Sequence, residues 1–146
     1  MAIWSYTIDT SIDIDCHAEA IWDTLVDFDR FHEWNPMLRN VHTDLNPGAM
    51  VTFDVLQDEA KPLKLKAKIV NLARPTSLAW RGGVSGIITG EHYFRLEPLP
   101  EGRCRFHHGE TFKGLLLPLL RGRLKQAPRL YRAMNAALKS RLERGN

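Results

Sequence analysis

Cysteine is scarce in this 146-residue sequence: Cys16 and Cys104 lie far apart and lack the spacing of a zinc site. Small secreted domains more often carry several paired cysteines, so we expect two free thiols in a reducing cytoplasm. Long apolar runs are also missing. The longest, residues 115–120, contains a proline and falls far short of the ~20 residues that span a bilayer. Because no signal-peptide pattern is seen either, we expect a cytoplasmic protein that is soluble or at most peripheral to a membrane.

The sequence also lacks the motifs of several common catalytic chemistries. It contains no nucleophile elbow, no phosphate-binding glycine loop, no HExxH and no paired Cys-x-x-Cys. Any catalysis is therefore expected to depend on proton transfer and positioning in a pocket, as in aldol-type cyclisation or dehydration. We expect neither a metal nor an organic cofactor.

Acidic residues are rare in the last part of the chain. Residues 1–60 carry 2 basic and 12 acidic side chains (net −10), whereas residues 113–146 carry 9 and 1 (net +8). Nucleic-acid binding would predict aromatic residues interleaved with these cations, and only Tyr131 is present, so we expect no nucleic-acid partner. A solvated helix face is favoured. The alternative is weak contact between the basic C-terminal helix and an anionic membrane, because LLLPLL adjoins RGRLK.

Hydrophobic periodicity predicts an α+β chain. Residues 3–14 alternate between apolar and polar side chains, which indicates a long strand with one buried face. Residues 18–25 have apolar positions at helical spacing, and a second short helix is expected to end at Asn35-Pro36. From residue 37 to residue 112, apolar runs alternate with turns rich in proline and glycine, which predicts an antiparallel meander.

A long amphipathic helix is predicted at the C-terminal end, where apolar residues recur every three to four positions. Pro118 is tolerated in a first turn, whereas Pro128 removes a hydrogen bond and clashes one turn back, so we expect a kink or break there. An antiparallel sheet with one apolar face must be covered, and this helix is the only predicted element long enough to do so. A curved sheet around a helix leaves room for an internal pocket.

Three segments resemble a known family: AEAIWDTLVDFDRFHEWNP (18–36), GEHYFRLEPLPEGRCRFHHGETFKGLL (90–116) and YRAMNAALKSRLE (131–143). Over essentially its whole length, the chain resembles the SRPBCC superfamily of START-like, helix-grip domains, which includes polyketide cyclases/dehydrases and birch-pollen-allergen-type lipid binders. The resemblance implies a single domain over residues 1–146, with about seven antiparallel strands and two short helices around a long C-terminal helix, in the order β-α-α-β-β-β-β-β-β-α. It also implies a deep hydrophobic cavity between sheet and helix.

The hairpin across residues 98–102 is expected to place three ionisable side chains on the concave face. His92 should lie across from His108 or Glu110, whereas His107 should face outward and meet water. The three inward groups can anchor a ligand head group, act as general acid and base on a carbonyl compound, or form a buried network that only holds the strands. A metal triad of the same residues is the least favoured alternative.

Apolar side chains are expected to surround these groups. Trp80 alternates with Leu78 and is predicted to face the same cavity. The resemblance implies that the short-helix region forms a lid at one mouth, whereas packing of its aromatic residues into the core is the alternative. The expected ligand-binding residues are Phe31, Trp34, Trp80, His92, Phe94, Phe106, His108, Glu110, Phe112, Tyr131 and Met134.

We therefore expect a protein that binds a hydrophobic or amphipathic small molecule, such as a lipid, a sterol or a polyketide-like compound. The alternative is an enzyme of the polyketide cyclase/dehydrase type that uses His92, His108 or Glu110 as general acid or base. A further alternative is a co-chaperone or a membrane-associated interaction module. A small hydrophobic ligand is the expected partner, and the protein is expected to be a monomer or a homodimer.

Overall fold

A computed structural model describes residues 4–57 and 61–144, which together form a seven-stranded antiparallel sheet and several helices. The strands are β1 (Ser5–Ile14), β2 (Leu38–Thr43), β3 (Met50–Val55), β4 (Leu63–Ala73), β5 (Ser77–Val84), β6 (Ile88–Leu99) and β7 (Arg103–Lys113). Their order across the sheet is β1-β7-β6-β5-β4-β3-β2. The predicted meander and the predicted order of elements are confirmed.

The first strand shows the predicted alternation. Ile8, Thr10 and Ile14 are buried on one face of β1. Ile3, which was expected to belong to this strand, lies outside the described residues. β1 pairs with β7, so that Ile8 lies opposite Glu110 and Thr10 lies opposite His108. This pairing brings a threonine from the start of the chain beside the ionisable residues of the hairpin.

Two short helical segments follow β1. The helix α1 (Ala18–Leu25) has its apolar residues on one face and buries Ile21, Trp22 and Leu25. A 3₁₀ helix (Phe28–Glu33) comes next. The side-chain oxygen of Asn35 then accepts hydrogen bonds from the backbone N–H groups of Met37 and Leu38, at 2.8 and 2.9 Å. These bonds compete with helical hydrogen bonding, so the helical segment ends near Asn35-Pro36, as predicted.

The C-terminal helix is interrupted. The helix α2 (Leu117–Leu124) is followed by α3 (Ala127–Glu143), and Pro128 lies in the first turn of α3, where its missing N–H costs nothing. The break expected near Pro128 is confirmed, and α3 is consequently shorter than the helix that periodicity predicts. α3 packs against β1 and β7 and buries Tyr131, Met134, Asn135 and Leu138. Within the described part of the chain, no helix combines the length and the hydropathy that crossing a bilayer requires.

The hairpin of β6 and β7 sets the position of the ionisable residues. His92 lies opposite Glu110 and Phe94 lies opposite His108. The expectation that His107 meets water is wrong, because its Nε2 lies 2.8 Å from Glu97 Oε1 and its side chain is mostly buried. The partner is close because His107 pairs across the hairpin with Arg95, so Glu97 is its diagonal neighbour on the convex face.

Candidate functional site

A chain of buried hydrogen bonds joins β1, α3 and β7 on the concave face. The hydroxyl of Thr10 donates to the backbone carbonyl of His108 at 2.6 Å, and its oxygen accepts from Asn135 Nδ2 at 2.8 Å. The amide oxygen of Asn135 lies 2.8 Å from His108 Nδ1. All three residues are buried. Asn135 therefore ties α3 to the sheet through a polar contact within an otherwise apolar buried face.

The chain of contacts continues onto β6. His92 Nε2 lies 2.8 Å from His108 Nε2, and His92 Nδ1 lies 3.4 Å from Glu110 Oε1. The hydroxyl of Tyr131, on α3, donates a short hydrogen bond to the same carboxylate oxygen. The Glu110 side chain is 18% exposed, whereas its partners are nearly or fully buried. We call this set the relay; its members are Thr10, Asn135, His108, His92, Glu110 and Tyr131.

The hydrogen-bond pattern defines the tautomer of each buried ring. Because the Thr10 hydroxyl gives its proton to a carbonyl, it accepts from the Asn135 amide nitrogen, and the amide oxygen then faces His108. An amide oxygen only accepts, so His108 Nδ1 carries the hydrogen and its Nε2 is an acceptor. His92 Nε2 must then donate to His108. In the contact between the two histidines, His92 Nε2 is therefore the donor and His108 Nε2 the acceptor.

The relay ends at the contact between His92 and Glu110. Since His92 Nε2 already carries a hydrogen, its Nδ1 carries one only when the ring is a cation. The neighbouring Glu110 Oε1 accepts from the hydroxyl of Tyr131 and lies 3.4 Å from that Nδ1. A partly exposed carboxylate therefore lies at the end of the relay, beside a buried imidazole.

Burial keeps the other titratable groups of the relay neutral. Desolvation and the neighbouring His92 lower the pKa of His108 well below its ordinary value. Desolvation and the adjacent Glu110 raise the pKa of Tyr131 well above its ordinary value. Tyr131 therefore stays a hydrogen-bond donor, and His108 stays a neutral imidazole.

Aromatic side chains fill the space around the relay. Phe94 and Phe106 are buried with ring centroids 5.9 Å apart, and Trp80 lies 5.7 Å from Phe94 and 5.5 Å from His92. These predicted wall residues share the concave face with His92 and His108, and they pack against one another. Burial decreases further along the same face, where Ile88, Gly90 and Phe112 are only partly buried. The accessible part of the face is therefore beside Glu110, toward Gly90.

The indole of Trp80 adds a polar atom to this apolar wall. Its Nε1 is buried and, among residues 4–57 and 61–144, has no hydrogen-bond partner. A buried donor without an acceptor costs about 1–3 kcal/mol.

The residues expected at the mouth lie apart from the relay. Phe31 is fully buried, with its ring between those of Phe28 and Trp34. Trp34 borders an outer cleft of about 400 Å³, whose other lining residues are Asp23, Thr24, Asp27, Arg30 and Arg141. A second cleft, of about 710 Å³, lies beside the 3₁₀ helix, the edge strand β2 and the start of β3. Neither cleft is lined by the relay, so Phe31 and Trp34 are not brought together with His92, His108 and Glu110. Met134 is buried on α3, the helix that also carries the relay residues Tyr131 and Asn135.

A glycine makes room for the exposed carboxylate. Gly90 lies directly opposite Phe112 in the hairpin. A Cβ atom at Gly90 would stand 2.4 Å from Glu110 Oε2 and 3.3 Å from Phe112 Cε1. The absent side chain is therefore what lets Oε2 occupy this part of the concave face.

Sequence reasoning missed Thr10, Asn135 and Gly90 as members of the site. Helical periodicity marks Asn135, since it follows Met134 and lies four residues after Tyr131 on the buried stripe. Strand alternation likewise places Thr10 on the face of Ile8 and Ile14. A polar residue at such a position signals a buried partner. The sequence carries no comparable signal for Gly90, whose neighbour is a side chain on another strand.

A metal centre is not formed by these side chains. Within the described residues, no three His, Cys, Asp or Glu side chains are arranged to hold an ion. His92 and His108 instead direct their Nε2 atoms at each other.

The fold is shared with several solved structures of low sequence identity. An aromatase/cyclase from a Streptomyces species is 17% identical, with 96% of this chain and 94% of that chain covered and a TM-score of 0.74. A START superfamily protein from Mycobacterium smegmatis is 14% identical, with 96% and 99% covered and a TM-score of 0.68. Norcoclaurine synthase from Thalictrum flavum is 12% identical, with 97% and 88% covered and a TM-score of 0.71. A search of the curated proteins found no match.

A family model provides the assignment that these distant structures do not. The model described as "Polyketide cyclase / dehydrase and lipid transport" matches residues 5–143, from the start of β1 to the end of α3. That span includes every residue of the relay. The chain therefore belongs to the polyketide cyclase/dehydrase and lipid transport family.

Proposed function

We propose that this protein binds an amphipathic small molecule on the concave face, with the polar group of the ligand held by Glu110 and Tyr131. The observation that carries the proposal is the relay: a set of buried hydrogen bonds that ends at a partly exposed carboxylate. Burying several polar side chains is costly unless each finds a partner. The relay positions Glu110 from three sides, through His92, Tyr131 and the gap at Gly90.

The surroundings of Glu110 support a ligand with an apolar body. Tyr6, Ile88 and Phe112 lie on the same face toward the ends of their strands, and each is partly buried. Ligand sites typically combine such apolar surfaces with a few polar groups that orient the molecule. A hydroxyl or protonated head group would donate to Glu110, while the hydrocarbon part covers these side chains.

A second function, proton-transfer catalysis, is favoured by the contact between the partly exposed Glu110 carboxylate and the buried His92 ring. In a β-hydroxy carbonyl compound, the Glu110 carboxylate would remove the proton from the carbon beside the carbonyl. It would then return that proton to the β-hydroxyl, which leaves as water, so that no oxidant or reductant is consumed. Between the two transfers Glu110 would be a carboxylic acid, which can donate a hydrogen bond to the neighbouring His92 Nδ1. One of the similar structures, from Streptomyces, is described as an aromatase/cyclase, and dehydrations of this kind suit such chemistry.

Ligand binding can be tested with a matched pair of glutamates on β6 and β7. Native mass spectrometry and thermal shifts with fatty acids, sterols and aromatic polyketides would identify a ligand of the wild-type protein. We expect Glu110→Gln to weaken binding by about tenfold, since a charge-assisted hydrogen bond is lost. Glu91→Gln, on the exposed face of β6 and paired with Arg81, should bind as the wild type does.

The same variants separate binding from catalysis and from a purely structural role. If the protein dehydrates a β-hydroxy polyketide, mass spectrometry will show loss of water with the wild type and Glu91→Gln but not with Glu110→Gln. If Glu110→Gln binds every ligand as tightly as the wild type, Glu110 is no ligand contact. If Glu110→Gln and Glu110→Ala both simply unfold, the relay serves only to hold the strands together.

A further inference from the structure

Large apolar side chains are exposed together at one end of the sheet. Six of them, with 41–80% of their surface exposed, form a patch that we call the leucine end: Trp4, Val84, Ile87, Leu115, Leu116 and Leu119. Monomeric proteins rarely expose large contiguous apolar patches without a partner. We therefore expect the leucine end to contact a binding partner.

Backbone hydrogen bonds hold the members of the leucine end next to one another. The N–H of Gly114 donates to the carbonyl of Trp4 at 3.1 Å. The N–H groups of Leu115 and Leu116 donate to the carbonyls of Gly86 and Ile87, at 3.1 and 3.0 Å. The start of β1, the β5–β6 turn and the start of α2 thus form one surface. Leu119 is its most exposed apolar side chain, at 80%.

The charges around the leucine end have one sign. Residues 4–8, 82–90 and 113–125 contain no Asp or Glu, but they contain Lys113, Arg121, Arg123 and Lys125. Arg121 donates to the carbonyl of Ser5 and lies over the ring of Tyr6, which fastens α2 to β1. Lys113, Arg123 and Lys125 are exposed. The patch is therefore apolar at its centre and cationic along one margin.

We infer that the leucine end docks onto the surface of an anionic lipid bilayer. Exposed leucines beside Lys and Arg are the combination that inserts apolar side chains among head groups while cations contact anionic lipids. Trp4 suits the same position, because indoles concentrate at membrane–water interfaces. A second copy of the chain is a poorer occupant, since a two-fold contact would bring the same cations face to face. This inference goes beyond the proposed function and does not depend on Glu110 or on any bound ligand.

Co-sedimentation with vesicles tests the docking directly. We expect the full chain to sediment with vesicles of phosphatidylcholine and phosphatidylserine, to bind pure phosphatidylcholine far more weakly, and to be released at high salt. Replacing Leu115 and Leu119 together by serine should weaken binding by at least about tenfold. Because both side chains are exposed, thermal unfolding of this double variant should match that of the wild type.

A matched control uses two other exposed leucines. Leu63 and Leu65, each 42% exposed on β4, lie beside the lysines of that strand but outside the leucine end. Their double replacement by serine should leave vesicle binding unchanged. An equal loss in both double variants would mean unspecific adhesion and would overturn the inference.

Tryptophan fluorescence provides a readout of the orientation of the protein on the membrane. Lipids that carry a quencher near the head group should quench part of the wild-type emission, and Trp4→Phe should remove that part. Absence of sedimentation with anionic vesicles would overturn the inference. So would a dimer in solution that the Leu115 and Leu119 replacement dissociates, because the occupant would then be a second copy of the chain.

Discussion

The two C-terminal helices differ in how much of their apolar surface they bury against the sheet. α3 packs a mostly apolar face against β1 and β7. This contact buries the relay, to which α3 contributes Tyr131 and Asn135. α2, which follows β7 along the chain, buries Leu117 but leaves Leu119 exposed. Pro128 separates the two helices, so that α3 can pack independently of α2. The comparison indicates that stability resides under α3, whereas the surface around α2 is available for binding.

The largest test of this difference makes the same substitution in each helix. Leu138 is fully buried on α3, whereas Leu119 is 80% exposed on α2. Leu138→Ala should lower the free energy of unfolding by about 3 kcal/mol, because a cavity remains in the core. Leu119→Ala should change it by less than about 0.5 kcal/mol. Urea unfolding of both variants measures the contrast, and similar losses would show that α2 is part of the stable core.

A smaller effect is expected from the polar contact between α3 and the sheet. Asn135→Ala removes the acceptor of His108 Nδ1 and the donor to Thr10, which leaves buried polar groups without partners. We expect a loss of about 2 kcal/mol in the free energy of unfolding. Asn71→Ala, which removes an exposed bond to Ser77, should cost less than about 0.5 kcal/mol. Equal stabilities in chemical denaturation would mean that the relay does not hold α3.

These contrasts also show what the sequence can predict. Local patterns predicted the antiparallel meander, the break near Pro128 and the pairing of His92 with a residue of β7, because alternation and turn chemistry depend on neighbours in the chain. The contact between His108 and Asn135 joins residues 27 positions apart. It depends on how α3 crosses the sheet, which periodicity alone does not specify. The contacts of Phe94 with Trp80 and Phe106 likewise join side chains from three different strands.

The burial of His108 in the relay makes stability depend on pH. The pKa of His108 is lowered in the folded state by burial and by His92, so below about pH 6.5 the unfolded chain binds more protons. Stability should therefore fall as the pH falls below this value, by up to about 1.4 kcal/mol per pH unit. The pKa values of Asp13 and Glu33 are lowered by arginine partners. The stability that these two groups provide is lost only as the pH falls below about 4.

Histidine variants assign this pH dependence to a residue. His108→Gln should flatten the unfolding free energy between pH 6.5 and about pH 5. His32→Gln, at an exposed position, should retain the slope of the wild type. Denaturation series at several pH values measure both. If the His108→Gln series keeps the full slope, another group takes up the proton.

A small effect on stability is expected at Gly90, where the packed and the open regions meet. The Cβ of Gly90→Ala would overlap Glu110 Oε2, which lies at the end of a flexible side chain and can move away. The free energy of unfolding should therefore change by less than about 1 kcal/mol. Ligand affinity should fall by about tenfold, because the displaced carboxylate no longer occupies the position set by His92 and Tyr131.

Gly122 provides the matched control, since a Cβ there meets nothing within 4 Å. Gly122→Ala lies in α2 and should stabilise that helix by up to about 1 kcal/mol without changing affinity. Thermal unfolding and titration with the ligand bound by the wild type measure the two effects separately. Unchanged affinity in Gly90→Ala would place the ligand away from Glu110. A selective loss of affinity would show that a position with little effect on stability sets the geometry of the site, because the relay, and not the strand, holds the carboxylate in place.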